Sequence, residues 1–317
     1  MSRRLRCGFA AILDPARSMH TQTVLRALDI YKTLFAQDTV EFICCEDFGS
    51  VEGGAHAADF LVSQGVDLVV GHYASNSAMG AAPLYAERRV PLLLPTATDS
   101  SLTLGRDNVF RLCANNHEIV SAVLALLPPG EAANIKVVTD GSAYAHNLAA
   151  AFKGAAPGVD QGGESVTVFI GTGTRTEEFL QACEHSNDFI LTDDAACAHL
   201  AIPGSMRAGQ VRAVGFAPAN LVNSTAPCVR EYVRRYGETP GVFFLETIAA
   251  LEIVSQLQAT STHYLADLNS GSFATSLGEL RFVHGERQQD TLCLWSNDEA
   301  NTLCPVQLIK TNREFLI

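Results

Sequence analysis

The hydrophobic and polar positions of this chain follow two alternating periods. Short apolar runs predict β-strands at residues 6–13, 40–45, 67–70 and 91–94. Between them, apolar residues spaced three and four positions apart predict helices at residues 22–36, 54–64 and 77–88. The first of these helices carries Val24, Leu28 and Tyr31 on one face, as a helix packed on a sheet does.

The same alternation resumes after Asn115-Asn116. Strands are predicted at residues 135–139, 165–169, 188–192 and 211–216. Helices are predicted at residues 117–127, 144–152, 177–184, 196–206 and 242–258. Repeated strand–helix units predict an α/β protein with parallel, doubly wound sheets covered by helices on both faces.

Two predicted strands stop abruptly at small residues that carry hydroxyl groups. One is followed by Tyr73-Ala74-Ser75, just before a predicted helix start at Ser77, and the other by Pro95-Thr96-Ala97-Thr98. Hydroxyls and free N–H groups at a helix start favour a carboxylate or carbonyl oxygen of a small polar ligand. The alternative is that these side chains only cap helices.

Four motifs together resemble the type I periplasmic binding proteins, which include leucine/isoleucine/valine-binding and amide-binding receptors. They are Gly71-His72-Tyr73-Ala74-Ser75, Ala82-Pro83-Leu84-Tyr85-Ala86-Glu87, Leu94-Pro95-Thr96-Ala97-Thr98 and Asn108-Val109-Phe110-Arg111-Leu112. The resemblance implies two lobes with a ligand cleft between them, closing by hinge motion. It implies lobe one at residues 1–117 plus 242–277, and lobe two at residues 118–241 plus 278–317.

The resemblance also implies which residues bind the ligand. In the first lobe these are Tyr73 and Ser75, with the loop that contains Pro95, Thr96, Ala97 and Thr98. In the second lobe, Tyr144 matches an aromatic ring that covers the ligand in the family, although a packing aromatic is the alternative.

The second lobe departs from the amino-acid receptors at two strand ends, Phe189–Ala195 and Val214–Pro218. At Phe189–Ala195 those receptors have small residues followed by an aromatic one. At Val214–Pro218 those receptors place a carboxylate that binds the ligand ammonium, and this chain has none there. Asp193 or Asp194 is a candidate replacement, because a buried ammonium needs a partner, but an exposed helix N-cap is the commoner use of such an Asp. These departures, with the glycine-containing segment Leu277–Phe282, favour an amide, a urea-like compound or an atypical amino acid.

Amino-acid composition indicates the number of lobes and limits the classes of partner that the protein can bind. The chain has 317 residues, 47% of them hydrophobic, so its length and apolar content indicate two globular lobes. Its 22 basic residues against 34 acidic ones give a formal net charge of −12, which argues against nucleic acid and against anionic membranes.

The N-terminal segment bears on the cellular compartment of the protein. Met1–Arg6 is basic, but the apolar run that follows ends at Asp14 without a small-residue cleavage site, so it reads as the first strand. No segment has the 18 or so uninterrupted apolar residues of a membrane span, so no membrane insertion is expected. We therefore expect a cytoplasmic protein, or a periplasmic one if a leader has been removed.

Nine cysteines support a reducing compartment. Their number is odd, they lack C-x-x-C spacing, and several lie in apolar runs, so they are expected to be reduced thiols. The adjacent pair Cys44-Cys45 is a poor redox or metal site, because neighbouring side chains on a strand point to opposite faces.

No metal, cofactor or catalytic residue is assigned from the sequence. The histidines lack metal-ligand spacing, and a hydrolase would need Ser75 or Cys113 close to His72 or His117, which sequence adjacency does not establish.

The sequence thus predicts a cytosolic solute-binding sensor for a small polar metabolite. Its signal would be received by a regulatory protein partner or a second copy of the chain. The rival hypotheses are a transporter-associated receptor without its leader, and an enzyme, either a hydrolase or a biosynthetic catalyst, built on the same cleft.

Overall fold

The structure is a computed structural model that describes residues 4–35, 39–127, 135–156, 166–184, 187–260 and 263–312. In chain order, its helices are α1 (Thr21–Leu34), α2 (Val51–Ser63), α3 (Ser75–Glu87), α4 (Asn116–Leu124), α5 (Ala143–Ala155), α6 (Gly173–Ala182), α7 (Ala219–Asn223), α8 (Pro227–Tyr236), α9 (Phe244–Thr260) and α10 (Tyr264–Ser270). Short 3-10 helices lie at Ser100–Leu102 and Asp193–Ala195.

The strands are numbered in the same way. They are β1 (Leu5–Ala11), β2 (Val40–Glu46), β3 (Leu68–Gly71), β4 (Leu92–Leu94), β5 (Val109–Arg111), β6 (Ile135–Thr139), β7 (Val166–Ile170), β8 (Asp188–Leu191), β9 (Val211–Phe216), β10 (Phe273–Thr275), β11 (Gly278–Leu280), β12 (Phe282–Val283), β13 (Glu286–Arg287), β14 (Gln289–Asn297) and β15 (Leu303–Asn312).

The chain divides into two compact units. Unit 1 comprises Met1–Cys113, Ala219–Asp290 and Asn312–Ile317, and unit 2 comprises Ala114–Pro218 and Thr291–Thr311. Unit 1 holds a seven-stranded sheet in the order β12-β13-β5-β4-β3-β1-β2, and unit 2 a six-stranded sheet in the order β15-β14-β9-β8-β7-β6.

Both sheets are mostly parallel, which confirms the predicted α/β fold class. In unit 1 the neighbours from β2 through β1, β3, β4 and β5 to β13 all pair in parallel. In unit 2 the strands β6 to β9 pair in parallel, and β14 joins β9 antiparallel. Helices lie between these strands in the chain, as expected for parallel neighbours, which need a connection that returns over the sheet.

Each unit has its own apolar core. In unit 1, Leu61, Val69 and Tyr85 are among the buried residues that join α2 and α3 to the sheet. In unit 2, Leu148 and Phe152 of α5 pack with residues of β7, β8 and β9. The helices lie where their three-and-four apolar spacing faces a strand surface rich in Val, Ile and Leu.

The units differ from the expected lobes over four segments. Residues 114–117 fall in unit 2 instead of lobe one, and residues 312–317 fall in unit 1 instead of lobe two. The other two segments are longer. Residues 219–241 fall in unit 1, where Arg26 of α1 donates a hydrogen bond to the Tyr232 hydroxyl of α8 over 2.9 Å. Residues 278–290 also fall in unit 1, because β13 pairs with β5 through Glu286 and Arg111. Both are long-range contacts that local spacing along the chain does not encode.

One predicted element is wrong. Residues 196–206 do not form the predicted helix; the described chain there consists of turns and bends after a 3-10 helix. Pro203-Gly204 interrupts the segment, and its apolar side chains are buried without helical hydrogen bonding, including Ala196, Leu200 and Met206. Two predicted end residues, Ala36 and Ser165, lie outside the described residues.

Candidate functional site

The order of strands in unit 1 creates a topological switch point beside β3. Strand β1 is flanked by β2 on one side and by β3 on the other, so successive crossovers leave in opposite directions. In open α/β sheets, ligands bind beyond the carboxyl ends of strands at such a point. The hydroxyl-bearing residues predicted from the sequence follow β3 and β4 at this edge.

The structure brings the two predicted loops of unit 1 together. Ser75 is the first residue of α3, two residues earlier than predicted, and its Oγ accepts a hydrogen bond from the Asp99 N–H over 3.2 Å. The Thr96 hydroxyl donates to the Tyr73 carbonyl over 3.1 Å. Both hydroxyls therefore tie one loop to the other, which is a different use from the helix capping considered above.

Thr98 differs from its neighbours in the same loop. Its side chain is 1% exposed, and Oγ1 has no hydrogen-bond partner within the described part of the chain. Pro95 and Ala97, the other predicted loop residues, are buried as well. A buried hydroxyl without a partner costs about 1–3 kcal/mol, so a ligand that bonds it recovers that energy.

Sequence reasoning missed two further polar atoms next to these loops. Asn76 Oδ1, on the second residue of α3, and Ser100 Oγ, directly after Asp99, are buried without a partner within the described residues. The contact of Ser75 with Asp99 places their segments side by side. Asn76 directly follows the motif that ends at Ser75, and Ser100 lies two residues after Thr98. The sequence gives no sign that their polar atoms are buried without a partner, because that depends on the fold.

Tyr73 is anchored at its far end. Its hydroxyl lies 3.0 Å from Thr247 Oγ1 on α9, and Thr247 in turn donates to the Phe243 carbonyl. Burial raises the pKa of Tyr73 well above its ordinary value, so the ring stays neutral. Neighbouring Glu246 has its pKa raised to about 7, mainly because it is buried.

His72 and Cys113, two residues that an enzyme at this edge would use, have other described contacts. Both ring nitrogens of His72 face other groups: Nδ1 lies 2.7 Å from Asp47 Oδ2, and Nε2 lies 3.3 Å from the Tyr85 hydroxyl. The buried thiol of Cys113 donates to the Ala97 carbonyl over 3.7 Å. These contacts hold His72 beside the end of β3 and Cys113 beside the loop that contains Ala97.

Unit 2 places two of its predicted residues in direct contact. The Tyr144 hydroxyl on α5 donates a hydrogen bond to Asp193 Oδ1 and lies 3.3 Å from Thr192 Oγ1. Asp193 is 5% exposed, and burial raises its pKa to about 7, while the Tyr144 hydrogen bond opposes that rise. The pair therefore contains a buried carboxyl group that titrates near neutral pH.

Asp194 has a different role. Its Oδ2 accepts a hydrogen bond from the Gly173 N–H, the first residue of α6, over 2.7 Å. A carboxylate at a helix N-terminus satisfies an unpaired donor and the helix dipole. The capping alternative thus describes Asp194, although the helix it caps is α6 rather than one that follows it in sequence.

The strand end 214–218 offers no charged side chain. Gly215 packs against the backbone of Asp193, since a Cβ atom there would lie 2.8 Å from its Cα. Asp193 therefore lies just after β8, the strand next to β9. It is beside the position in 214–218 where a carboxylate was expected and where this chain has none. Among the described residues, no group of three or more His, Cys, Asp and Glu side chains is arranged to hold a metal ion.

Comparison with known proteins agrees with this architecture. A family profile described as "Periplasmic binding protein" matches residues 23–191, more than half of the chain. The chain belongs to the periplasmic binding protein family. This membership confirms the resemblance inferred from the motifs around Ser75 and Thr98.

One curated relative matches part of this periplasmic binding protein. Leu/Ile/Val-binding protein homolog 3 of Brucella melitensis is 32% identical over 120 residues, which is 37% of this chain and 32% of that protein. The match thus spans about a third of the length of that curated relative.

Solved structures match nearly the whole fold at low identity. The leucine-binding protein LivK of Thermotoga maritima is 16% identical with a TM-score of 0.82, covering 96% of this chain and 98% of its own. A solute-binding protein of an ABC transporter from Rhodopseudomonas palustris, in complex with 3,4-dihydroxybenzoic acid, is 14% identical with a TM-score of 0.76, covering 98% and 99%. None of the described helices is long and apolar enough to cross a membrane.

Proposed function

We propose that this protein binds a small solute that carries a carboxylate, and that a branched-chain amino acid is the first candidate. The observation that carries the proposal is the Thr98 hydroxyl, buried without a partner in a loop that Ser75 and Tyr73 hold at the switch point of unit 1. A carboxylate oxygen accepts from hydroxyls and from N–H groups at a helix start, and α3 begins at Ser75.

The relatives support the same ligand chemistry. The name of the Brucella protein refers to leucine, isoleucine and valine, and that of the Thermotoga protein refers to leucine. The Rhodopseudomonas protein is in complex with 3,4-dihydroxybenzoic acid. These ligands differ in their apolar parts and share a carboxyl group. The carboxylate is therefore the part of the ligand that we assign to the unit 1 loops.

Asp193 is our candidate for recognising an amino group. Its carboxyl is buried, and the described contacts give it a Tyr144 hydroxyl but no cationic side chain. A ligand ammonium beside it would lower its pKa and remove the cost of burying an unpaired charge. A neutral amide or urea-like ligand, as the sequence analysis favours, would gain nothing from an ionised Asp193.

The role of a cytoplasmic sensor is a second candidate, and one observation favours it. All nine cysteines are free, five of them are buried, and no disulfide links any pair. Reduced thiols are usual in a cytosolic protein and uncommon in an exported one. The sensor would pass its signal to a regulatory protein or a second copy of the chain, whereas a transporter receptor would deliver the solute to a permease.

The test is a thermal-shift and calorimetry panel with L-leucine, L-isoleucine, L-valine, benzoate, acetamide and urea. Saturable binding of at least one carboxylate, recovered unchanged by mass spectrometry, is the expected result. Binding of acetamide or urea alone would overturn the carboxylate assignment, and consumption of the bound compound would identify an enzyme. Fractionation of the native host cells, followed by detection of the protein, decides between the sensor and the receptor.

The loop assignment is tested by a matched pair of substitutions. Thr98→Val should weaken binding by about 1–3 kcal/mol, because the valine cannot bond a buried ligand oxygen. Thr167→Val is the control, since Thr167 is 5% exposed on β7 of unit 2 and outside the proposed site. Equal affinities of both variants would remove Thr98 from the site.

A further inference from the structure

The motif Asn108-Val109-Phe110-Arg111-Leu112 contains a charged side chain that the proposed function leaves unused. Arg111 is the last residue of β5 and is 0% exposed. A buried guanidinium is tolerated only where its fixed fork of N–H groups finds acceptors. The acceptors that it finds indicate what it does.

Arg111 binds the candidate ligand loop from behind. Nη1 donates to the Ala97 carbonyl, and Nη2 donates to the Asp99 carbonyl over 2.6 Å. These two carbonyls lie on either side of Thr98, the residue whose buried hydroxyl has no partner within the described chain. One rigid guanidinium plane therefore fixes two peptide groups of the loop at once.

The third side of the guanidinium faces a carboxylate from a distant part of the chain. Nε lies 3.1 Å from Glu286 Oε1 on β13, and the Thr103 hydroxyl donates to the same oxygen over 2.5 Å. The Arg111 N–H also donates to the Gly285 carbonyl over 2.7 Å. Residues 285 and 286 thus hold Arg111 in place and balance its charge.

Peptide geometry links these contacts to ligand binding. In a trans peptide, the carbonyl of one residue and the N–H of the next point in opposite directions. The guanidinium draws in the carbonyls of Ala97 and Asp99, so it turns the N–H groups of Thr98 and Ser100 away from itself. We propose that Arg111 is the positioning residue of the ligand loop, holding those two N–H groups and the Thr98 hydroxyl ready for a ligand oxygen.

The ligand part of this inference rests on the proposed function, whereas the ordering of the loop does not. The first experiment therefore needs no ligand: hydrogen–deuterium exchange of the full chain, comparing Arg111→Lys with Thr103→Val. Lysine keeps the charge beside Glu286 but has no fork to bind two carbonyls. Thr103→Val removes the other hydrogen bond to Glu286 and leaves the loop carbonyls bound to Arg111.

Exchange of amides 96–100 should rise roughly tenfold or more in Arg111→Lys and change by less than about threefold in Thr103→Val. Amides of β7 in unit 2 should be unchanged in both variants. Unchanged protection of the loop in folded Arg111→Lys would overturn the proposal. If that variant does not fold, Glu286→Gln replaces it, because the neutral amide binds Nε of Arg111 more weakly than the carboxylate does. The same increase in exchange, confined to the loop, is expected in Glu286→Gln. Its absence would equally overturn the proposal.

The second experiment separates positioning from general support, using L-leucine as the calorimetric probe. Arg111→Lys should weaken L-leucine binding roughly tenfold in the wild-type background and less than about threefold when Thr98 is already valine. Fully additive losses would show that Arg111 does not act through Thr98. If the wild-type protein does not bind L-leucine or any other panel compound, the proposed function fails, while the exchange experiment still decides whether Arg111 orders the loop.

Discussion

The Tyr144 hydroxyl donates its hydrogen bond to the buried carboxyl group of Asp193. Burial raises the pKa of Asp193 to about 7, the nearby Asp194 adds to the rise, and the Tyr144 hydrogen bond opposes it. The native protein therefore holds this proton more tightly than the unfolded chain, in which the carboxyl ionises near its ordinary pKa of about 3.9. Folding stability must then depend on pH at this residue.

The first prediction concerns the direction of that dependence in Asp193→Asn. A raised native pKa means that stability is present in full at low pH and is lost as the pH rises from about 4 to about 7. The asparagine does not titrate. The free energy of unfolding of the variant, relative to that of the wild type, should therefore rise by about 1–3 kcal/mol between pH 5 and pH 8. Urea unfolding at pH 5, 6, 7 and 8 measures the difference.

Tyr144→Phe is the companion variant. Without the donor, ionised Asp193 loses a hydrogen bond, so this variant should lose stability relative to the wild type as the pH rises over the same range. A difference between Asp193→Asn and wild type that does not vary with pH would contradict the assignment of the raised pKa.

The contact of Tyr144 with Asp193 also shows where sequence reasoning stops. Both residues were predicted as site residues separately, but nothing in the sequence places them together, because they lie 49 positions apart on α5 and the segment after β8. Local periodicity did find the strand end at Leu94 and came within one residue of the end at Gly71, since short apolar runs and the hydroxyl residues after them are contiguous in the chain.

Long-range pairing explains why the unit to which residues 278–290 belong was not predicted from the sequence. Arg111 and Glu286 are 175 positions apart, so the tie between β5 and β13 leaves no local signal. The predicted helix at 196–206 shows the opposite limitation: Ala196, Cys197 and Leu200 have helix-like spacing, but tertiary packing buries them in an irregular segment.

Glu246 provides an independent second prediction in unit 1. Burial raises its pKa to about 7, Asp290 adds to the rise, and Arg287 opposes it. Glu246→Gln should therefore gain stability over the wild type between pH 5 and pH 8, in the same direction as Asp193→Asn. The two carboxyl groups share no partner among the described contacts, so the gains should add within about 0.5 kcal/mol in the double variant. A flat pH profile for Glu246→Gln would contradict the prediction.

The third prediction tests the close packing of α2 on α3. A Cβ atom on Gly54 would lie 2.0 Å from the Ser77 carbonyl oxygen, which is backbone and has no rotamer to change. Gly54→Ala should therefore destabilise the protein by about 2 kcal/mol or more, because the helices must move apart. Gly154→Ala is the matched control: that glycine lies in α5 with open space around its Cβ position.

The control should be neutral or stabilising by about 0.5–1 kcal/mol, since alanine restricts the unfolded chain and favours the helix. Urea unfolding of both variants at pH 7 makes the comparison. Equal stabilities of the two variants would show that α2 and α3 are packed less closely than their backbones indicate.

The fourth prediction reverses the sign of the first. Asp47 is 1% exposed, and its contact with His72 holds its pKa below the ordinary value even though burial acts in the opposite direction. A lowered native pKa means that the stabilisation is present above the ordinary pKa and is lost as the pH falls through the native one. Asp47→Asn should cost about 2–4 kcal/mol at pH 7, and the cost should shrink only at acid pH.

Two features of Asp47→Asn make the measurement selective. The Gly49 N–H donates a hydrogen bond to Asp47 Oδ1 over 2.9 Å, and the asparagine keeps an oxygen for this bond as well as the size of the side chain. The loss of stability therefore reports mainly on the charge of Asp47 beside His72. Asp59→Asn, at an exposed position of the adjacent helix α2, is the control and should stay within about 0.5 kcal/mol of the wild type. Unfolding free energies at pH 7, 5 and 3.5 then separate Asp47 from Asp193, because the cost of Asp47→Asn must fall toward acid pH, where Asp193→Asn has no advantage left. An Asp47→Asn cost that grows on acidification would mean that the carboxyl of Asp47, like that of Asp193, is held in its protonated form.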